Sequence, residues 1–170
     1  MRARRTLSMI TSAVLVAALV PAAGNASGAS HHVAKATLKD FFKQTSQSFT
    51  SPAGKPTSKP AKGDILFATE KMYKGTKAHH ASKWSGTAFL YCKVKSVSGH
   101  SSIKALCDGV IAIGGSMLIS QSIQNLASGS KTTVYPIVAG TGKYLGARGS
   151  VKVTSVNKSG SNSNAVINIK

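Results

Sequence analysis

Tyr135-Pro-Ile-Val-Ala-Gly-Thr-Gly-Lys-Tyr-Leu-Gly-Ala-Arg148-Gly-Ser-Val-Lys-Val153 reads as a strand, a glycine-rich turn and a second strand. Val134, Pro136 and Val138 alternate with Tyr135, Ile137 and Ala139, the period of two expected of an extended chain with unlike faces. Gly140, Gly142, Gly146 and Gly149 then punctuate a tight connection, and Val151 and Val153 resume the alternation against Ser150, Lys152 and Thr154. The Gly-x-Gly-Lys string is not a phosphate loop: no Ser or Thr follows Lys143, and no helical period follows the turn.

Outward from this hairpin, the same alternation recurs at short, even spacing. From Ala36 to about Ser48 the residues leave two patterns open, a first strand or a short helix over Ala36 to Gln44. A proline- and lysine-rich loop follows at 50–63, with Pro52, Pro56 and Pro60 four residues apart, expected to be extended and solvated. The next strand opens at Ile65 and closes at the turn Lys74-Gly75. A long strand from Trp84 to Val97 puts Trp84, Ala88, Leu90, Cys92 and Val94 on one face and Thr87, Phe89, Tyr91, Lys93 and Lys95 on the other. Its partner runs from Ile103 to Ile113, Gly114-Gly115 makes a two-residue hairpin turn, and Ser116 to Leu126 follows with Met117, Ile119 and Ile123 on one side. Ala165 to Ile169 is the last strand. With the signature pair this gives eight strands in one domain, 36–170. Eight up-and-down strands close most simply into an antiparallel barrel, which leaves no sticky edge. A β-sandwich is the alternative that the pattern leaves open.

The start of the chain reads as an export leader, 1–29: a basic Met1-Arg-Ala-Arg-Arg5, an apolar Met9 to Val20 and a small-residue stretch to Ala29. Its apolar run is shorter than the ~20 residues of a membrane span, and no other stretch is longer, so the mature chain is expected to be secreted without a span. Residues 30–35 are expected to be a disordered mature N-terminus. Cleavage after Ala29 would leave Ser30-His31-His32, whose terminal amine, amides and third-position imidazole suit square-planar Cu(II) or Ni(II).

Loss of the leader takes three arginines from a chain of formal net charge +18, leaving eighteen lysines, Arg148 and four acids. Specific reading of phosphates and bases leans on the forked arginine guanidinium. A surface of lysines instead implies non-specific attraction to polyanions, or simply solubility, and no specific nucleic-acid recognition. Cys92 and Cys107 lie equally far from a turn centred on Gly99-His100, so they face each other across that hairpin. Opposed strand positions lie within disulfide range, and export supplies an oxidising compartment, so a bridge is expected.

The signature stretch resembles that of the allene oxide cyclase-like barrels, which include the dirigent proteins. That signature is an apolar strand, Gly-Gly-Thr-Gly, an aromatic, then Gly-Ala-Arg-Gly entering a strand. Gly140, Thr141, Gly142, Tyr144, Gly146, Ala147, Arg148 and Gly149 match it, and Ala139 stands for the first glycine. The resemblance covers about Phe41 to Ile169 and implies an eight-stranded antiparallel barrel, with a first strand rather than a helix ending near Ser48. It also implies a cavity in which cyclases rearrange an unsaturated epoxide, or in which dirigent proteins orient phenoxy radicals. The cyclases use a carboxylate on the first strand, which the segment Phe42 to Phe49 lacks.

No nucleophile elbow occurs, and the acids Asp40, Asp64, Glu70 and Asp108 are scattered rather than paired. The expectation is a barrel that binds or shields a small apolar ligand without a cofactor. The alternatives are a cyclase, isomerase or dirigent-type auxiliary, with Glu70, Tyr91 and Arg148 as candidate pocket groups, or a cationic surface protein. Arg148 is expected either to tether its turn, by carbonyls or by an acid such as Asp64, or to meet a ligand at a cavity mouth.

Overall fold

The computed structural model describes residues 35–98, 102–126 and 131–170. The leader at 1–29, the Ser30-His31-His32 site and the Gly99-His100 turn lie outside the described residues. Within the unit His31–Lys170, the chain forms β1 (Ala36–Thr50), β2 (Ile65–Lys74), β3 (Gly86–Ser98), β4 (Ser102–Ile113), β5 (Ser116–Asn125), β6 (Thr132–Gly140), β7 (Gly149–Ser155) and β8 (Asn162–Ile169). Each pairs antiparallel with the next and β8 pairs with β1, giving a closed eight-stranded barrel. The closing pairs run from Ala36 opposite Ile169 to Lys43 opposite Asn162. Among the described residues no helix is long and apolar enough to cross a membrane.

Alternation decides what fills the barrel. Leu66, Ala68 and Met72 of β2, Ala88, Cys92 and Val94 of β3, and Ala165, Ile167 and Ile169 of β8 are the buried members of their strands. In β5 the inward set is Ser116, Leu118 and Ser120, so the more apolar side, Met117, Ile119 and Ile123, faces out. Met72, Leu118 and Ile167 are fully buried; sequestering each such side chain stabilises the fold by roughly 1.5–3 kcal/mol.

One end of the barrel is plugged by the glycine-rich signature. A single 3₁₀ turn, Gly142–Tyr144, drops Tyr144 and Ala147 into the core beside Phe42, Ile137, Val151 and Ile167. Gly140 and Gly149 are required there. A Cβ on Gly140 would strike the Tyr144 carbonyl, and one on Gly149, at φ +140°, would strike the Asn168 carbonyl. At this same end lie the β2–β3 loop and the Gly114-Gly115 turn, whose φ angles of 55° and 76° are those of the expected hairpin turn. The β1–β2 and β7–β8 connections lie at the opposite end.

Three bulges adjust the barrel: Thr45 in β1, Lys95 in β3 and Val138 in β6 are each skipped in the pairing. The one at Lys95 bears on the cysteines. Ser98 pairs with Ser102 and Val97 with Ile103, so the turn is centred one half-step later than the sequence suggests. The bulge restores the register by Val94 opposite Ala105, and Cys92 meets Cys107. They form a disulfide, with Cα atoms 4.0 Å apart, in a second core cluster with Leu66 and Ala105.

Other boundaries move for local reasons. β1 is a strand throughout its length, not a helix, because β2 and β8 pair with its two sides. Trp84 precedes β3 and is exposed, with the Lys71 ammonium 5.7 Å from its ring. The 50–63 loop is not simply extended. Thr57 donates its amide to the Phe49 carbonyl, Thr50 bridges to Pro56, and the buried Asp64 accepts the Ala61 amide at 2.8 Å. Backbone donors satisfied in this way hold the loop against the barrel end.

Candidate functional site

At the end away from the signature plug, the barrel interior is left partly unfilled. A cavity of about 260 Å³ opens there. Phe42, Ala88, Ile111 and Val151, which belong to the main core, form its floor, and Ser155, Ser159 and Gly160 form its lip. Beyond the lip the opening broadens between Gln124, Lys131, Asn157 and Lys158. The vacancy follows from residue size. The inward positions at this level include Ala68, Ala88, Ser120, Thr133 and Ser163, and the chain passes as bare backbone at Gly109.

Two ionisable groups reach the cavity from separate strands. Glu70 continues the inward series of Leu66 and Ala68 on β2, with Gln44 and Ala88 as its cross-strand neighbours. Burial raises its carboxyl to a pKa of about 7, because an ion is poorly solvated there. Among the described residues, no hydrogen bond or cation engages that carboxyl. Tyr135 is inward on β6, and its phenol is pushed up to about 12, by burial first and by the Glu70 charge second. The two thus share one electrostatic environment. Gln44 donates to Gln47 at 2.7 Å along the β1 wall, and Ser120 Oγ donates to the Gly109 carbonyl at 3.4 Å.

Such a site can hold a mostly apolar molecule by its body and address one polar atom. Near neutral pH Glu70 is divided between an acid that donates a hydrogen bond and a carboxylate that accepts a proton. Tyr135 stays a neutral donor. Those are the properties wanted of a general acid–base group and of a ligand anchor.

Of the sequence candidates, only Glu70 lies in the cavity. Tyr91 is 41 % exposed on the barrel exterior, because it alternates with the inward Leu90 and Cys92. Arg148 is exposed at the plugged end, far from the mouth, where its Nη1 donates to the neighbouring Ala147 carbonyl at 3.0 Å. It does not pair with Asp64, which lies at the other end of the barrel. The signature residues as a group build the plug rather than the cavity. The sequence reading missed Tyr135, Gln44 and Gln47; placing Tyr135 two residues from the inward Ile137 was the available signal.

It also overlooked the first-strand acid. β1 begins at Ala36 and therefore contains Asp40, which is 4 % exposed. Burial raises its pKa, opposed by the Lys74 charge and a hydrogen bond with Ser85. Asp40 sits toward the plugged end, pairing with Lys74 and Ala165, and does not line the cavity.

No protein-family profile matches the sequence, and no curated protein is detectably similar to it. Solved structures do match. A pyocyanin demethylase superposes with a TM-score of 0.62 at 16% identity, covering 79% of this chain and 100% of its own. A pterocarpan synthase dirigent protein gives 0.58 at 19% identity, covering 80% of this chain and 93% of its own. The fold is that of the dirigent-like barrels. A third structure, that of AbnU, an exo-specific intermolecular Diels–Alderase, gives 0.58 at 10% identity over 80% of this chain and 98% of its own. At these identities the likeness is one of fold, and the residues of the cavity must speak for themselves.

Proposed function

We propose that this protein is an exported barrel that binds a small, mostly apolar molecule in the cavity above Phe42 and Val151, with Glu70 as its polar anchor. The observation that carries this reading is the Glu70 carboxyl, half-buried in the cavity and without a partner among the described residues. A polar group left unmatched in an apolar recess is costly unless something else completes it. Barrels of the same fold that act on small molecules, a demethylase and a Diels–Alderase among them, support the use of the interior. The buried disulfide fits an oxidising destination, and the exposed lysines add diffuse attraction for anions.

A second reading is a proton-transfer step of the isomerase or cyclase type on that ligand. It is favoured by the near-neutral pKa of Glu70 beside the neutral phenol of Tyr135.

The test is mass spectrometry of the organic molecules released on denaturing the protein purified from its native secretion. The wild type should release a compound that Thr133→Trp, which fills the mouth, fails to retain. The same compounds in equal yield from both proteins would place binding elsewhere and sink the proposal.

A further inference from the structure

Polar groups are gathered on one wall of the cavity, and a bulge puts them there. Ala68 and Glu70 point inward from β2, and their partners on β1 are Gln47 and Gln44. Those glutamines are three residues apart, so strict alternation would turn one of them out of the barrel. Thr45 is skipped between them, and its hydroxyl donates to the Thr69 carbonyl at 3.0 Å. The bulge reverses the parity of β1 and aims both amides at the cavity. Gln44 is half-buried, and Gln47 is exposed nearer the mouth. Their mutual hydrogen bond runs 2.7 Å from Gln44 Nε2 to Gln47 Oε1. It leaves the Gln44 oxygen and the Gln47 nitrogen unengaged among the described residues. The free Glu70 carboxyl stands directly opposite Gln44, where side chains start about 5 Å apart. Protonated, it is a donor, so the wall reads donor, acceptor, donor from Glu70 through Gln44 to Gln47.

We infer that the cavity takes a cyclic imide, an apolar ring system whose polar edge is carbonyl, N–H, carbonyl. This rests on the cavity reading above and names the chemistry of the molecule held there. One carbonyl accepts from the Glu70 hydroxyl, the N–H donates to Gln44 Oε1, and the second carbonyl accepts from Gln47 Nε2. Charge and desolvation argue against the simpler ligands. A carboxylate would meet the ionised fraction of Glu70. A cation would have to pass Lys131 and Lys158 at the mouth of a strongly basic chain. A lone hydroxyl would match one of these groups and leave the others desolvated without a partner. An imide is neutral, planar and matched to the whole wall. Size agrees: a cavity of about 260 Å³ lies just under the ~300–1,000 Å³ of drug-sized pockets, so the body is a compact fused ring.

Fluorescence titration of naphthalimide and of its N-methyl derivative, with the exported protein at up to about 100 µM, tests this. Naphthalimide should bind. N-methylation should weaken it at least about tenfold, because it removes the N–H and strands the Gln44 acceptor. Gln44→Leu should shrink that preference to within about twofold. Glu70→Leu should weaken binding about tenfold, whereas Glu70→Gln, whose amide still donates, should hold it within about threefold. Equal loss in both Glu70 variants would mean that the carboxyl acts by its charge, and would overturn the inference. Naphthalimide and its N-methyl derivative binding alike, both abolished by Thr133→Trp, would overturn the imide and leave the cavity reading standing. Binding that Thr133→Trp leaves unchanged would refute both readings. A wild-type protein that does not bind naphthalimide overturns the imide whatever the variants do.

Discussion

Glu70→Gln should stabilise this protein, and only above the pH at which a free glutamate ionises. In the unfolded chain the carboxyl titrates near 4.5; in the barrel burial holds it protonated to about 7. Between those values the unfolded state has released a proton that the native state still keeps, so native stability falls as pH rises. The loss is complete above the folded pKa and absent below the unfolded one. At about 1.4 kcal/mol for each tenfold change in proton affinity, the rise from 4.5 to about 7 corresponds to at most roughly 3.5 kcal/mol. Glutamine keeps the shape of the neutral acid and removes the ionisation. Urea denaturation with the disulfide intact, at pH 4, 6 and 8, reads the difference. The variant should match the wild type within about 0.5 kcal/mol at pH 4 and exceed it by about 2–3 kcal/mol at pH 8. Asp40 titrates in both proteins and cancels in the comparison. A difference that is the same at all three pH values would show that Glu70 is not held in a poorly solvating cavity, and the anchor role would go with it.

The same variant should also lower the pKa of Tyr135, since one of its two causes is removed; ultraviolet titration of the phenol checks this, and no movement would separate the two groups. Replacing both Cys92 and Cys107 by Ala releases a link between residues 15 apart and should cost about 3 kcal/mol, read by the urea midpoint. Gly140→Ala and Gly149→Ala should each lower the melting temperature by several degrees through backbone collisions, whereas Gly114→Asn, in open space at φ 55°, should be nearly neutral. Arg148→Lys should change stability by less than about 0.5 kcal/mol, because among the described residues its side chain bonds only the adjacent carbonyl; the turn is tied instead by the Lys170 amide on the Arg148 carbonyl.

Alternation of apolar and polar residues is a local property, and what rests on it was legible in the sequence. The strands, the Gly114-Gly115 turn, the two faces of β3 and the glycine-rich turn follow from short-range backbone preferences and the two-residue period. The cysteine pairing was legible too, though by an argument that only the bulge at Lys95 makes right. The period names two faces of a strand without saying which is inside when both are apolar. In β5 the sequence favours Met117, Ile119 and Ile123 by weight, yet Leu118 and Ser120 point inward, because the neighbouring strands fix the direction. Closure decides the rest. The pairing of Ala36 with Ile169 joins the two ends of the domain, and the bulges set which distant residues share a level. That is why Glu70 and Tyr135 meet in one cavity while Arg148, the most conspicuous side chain of the signature, is left outside at the other end. Side-chain periodicity is written into neighbouring residues; the shear of a closed barrel is a property of all its strands together.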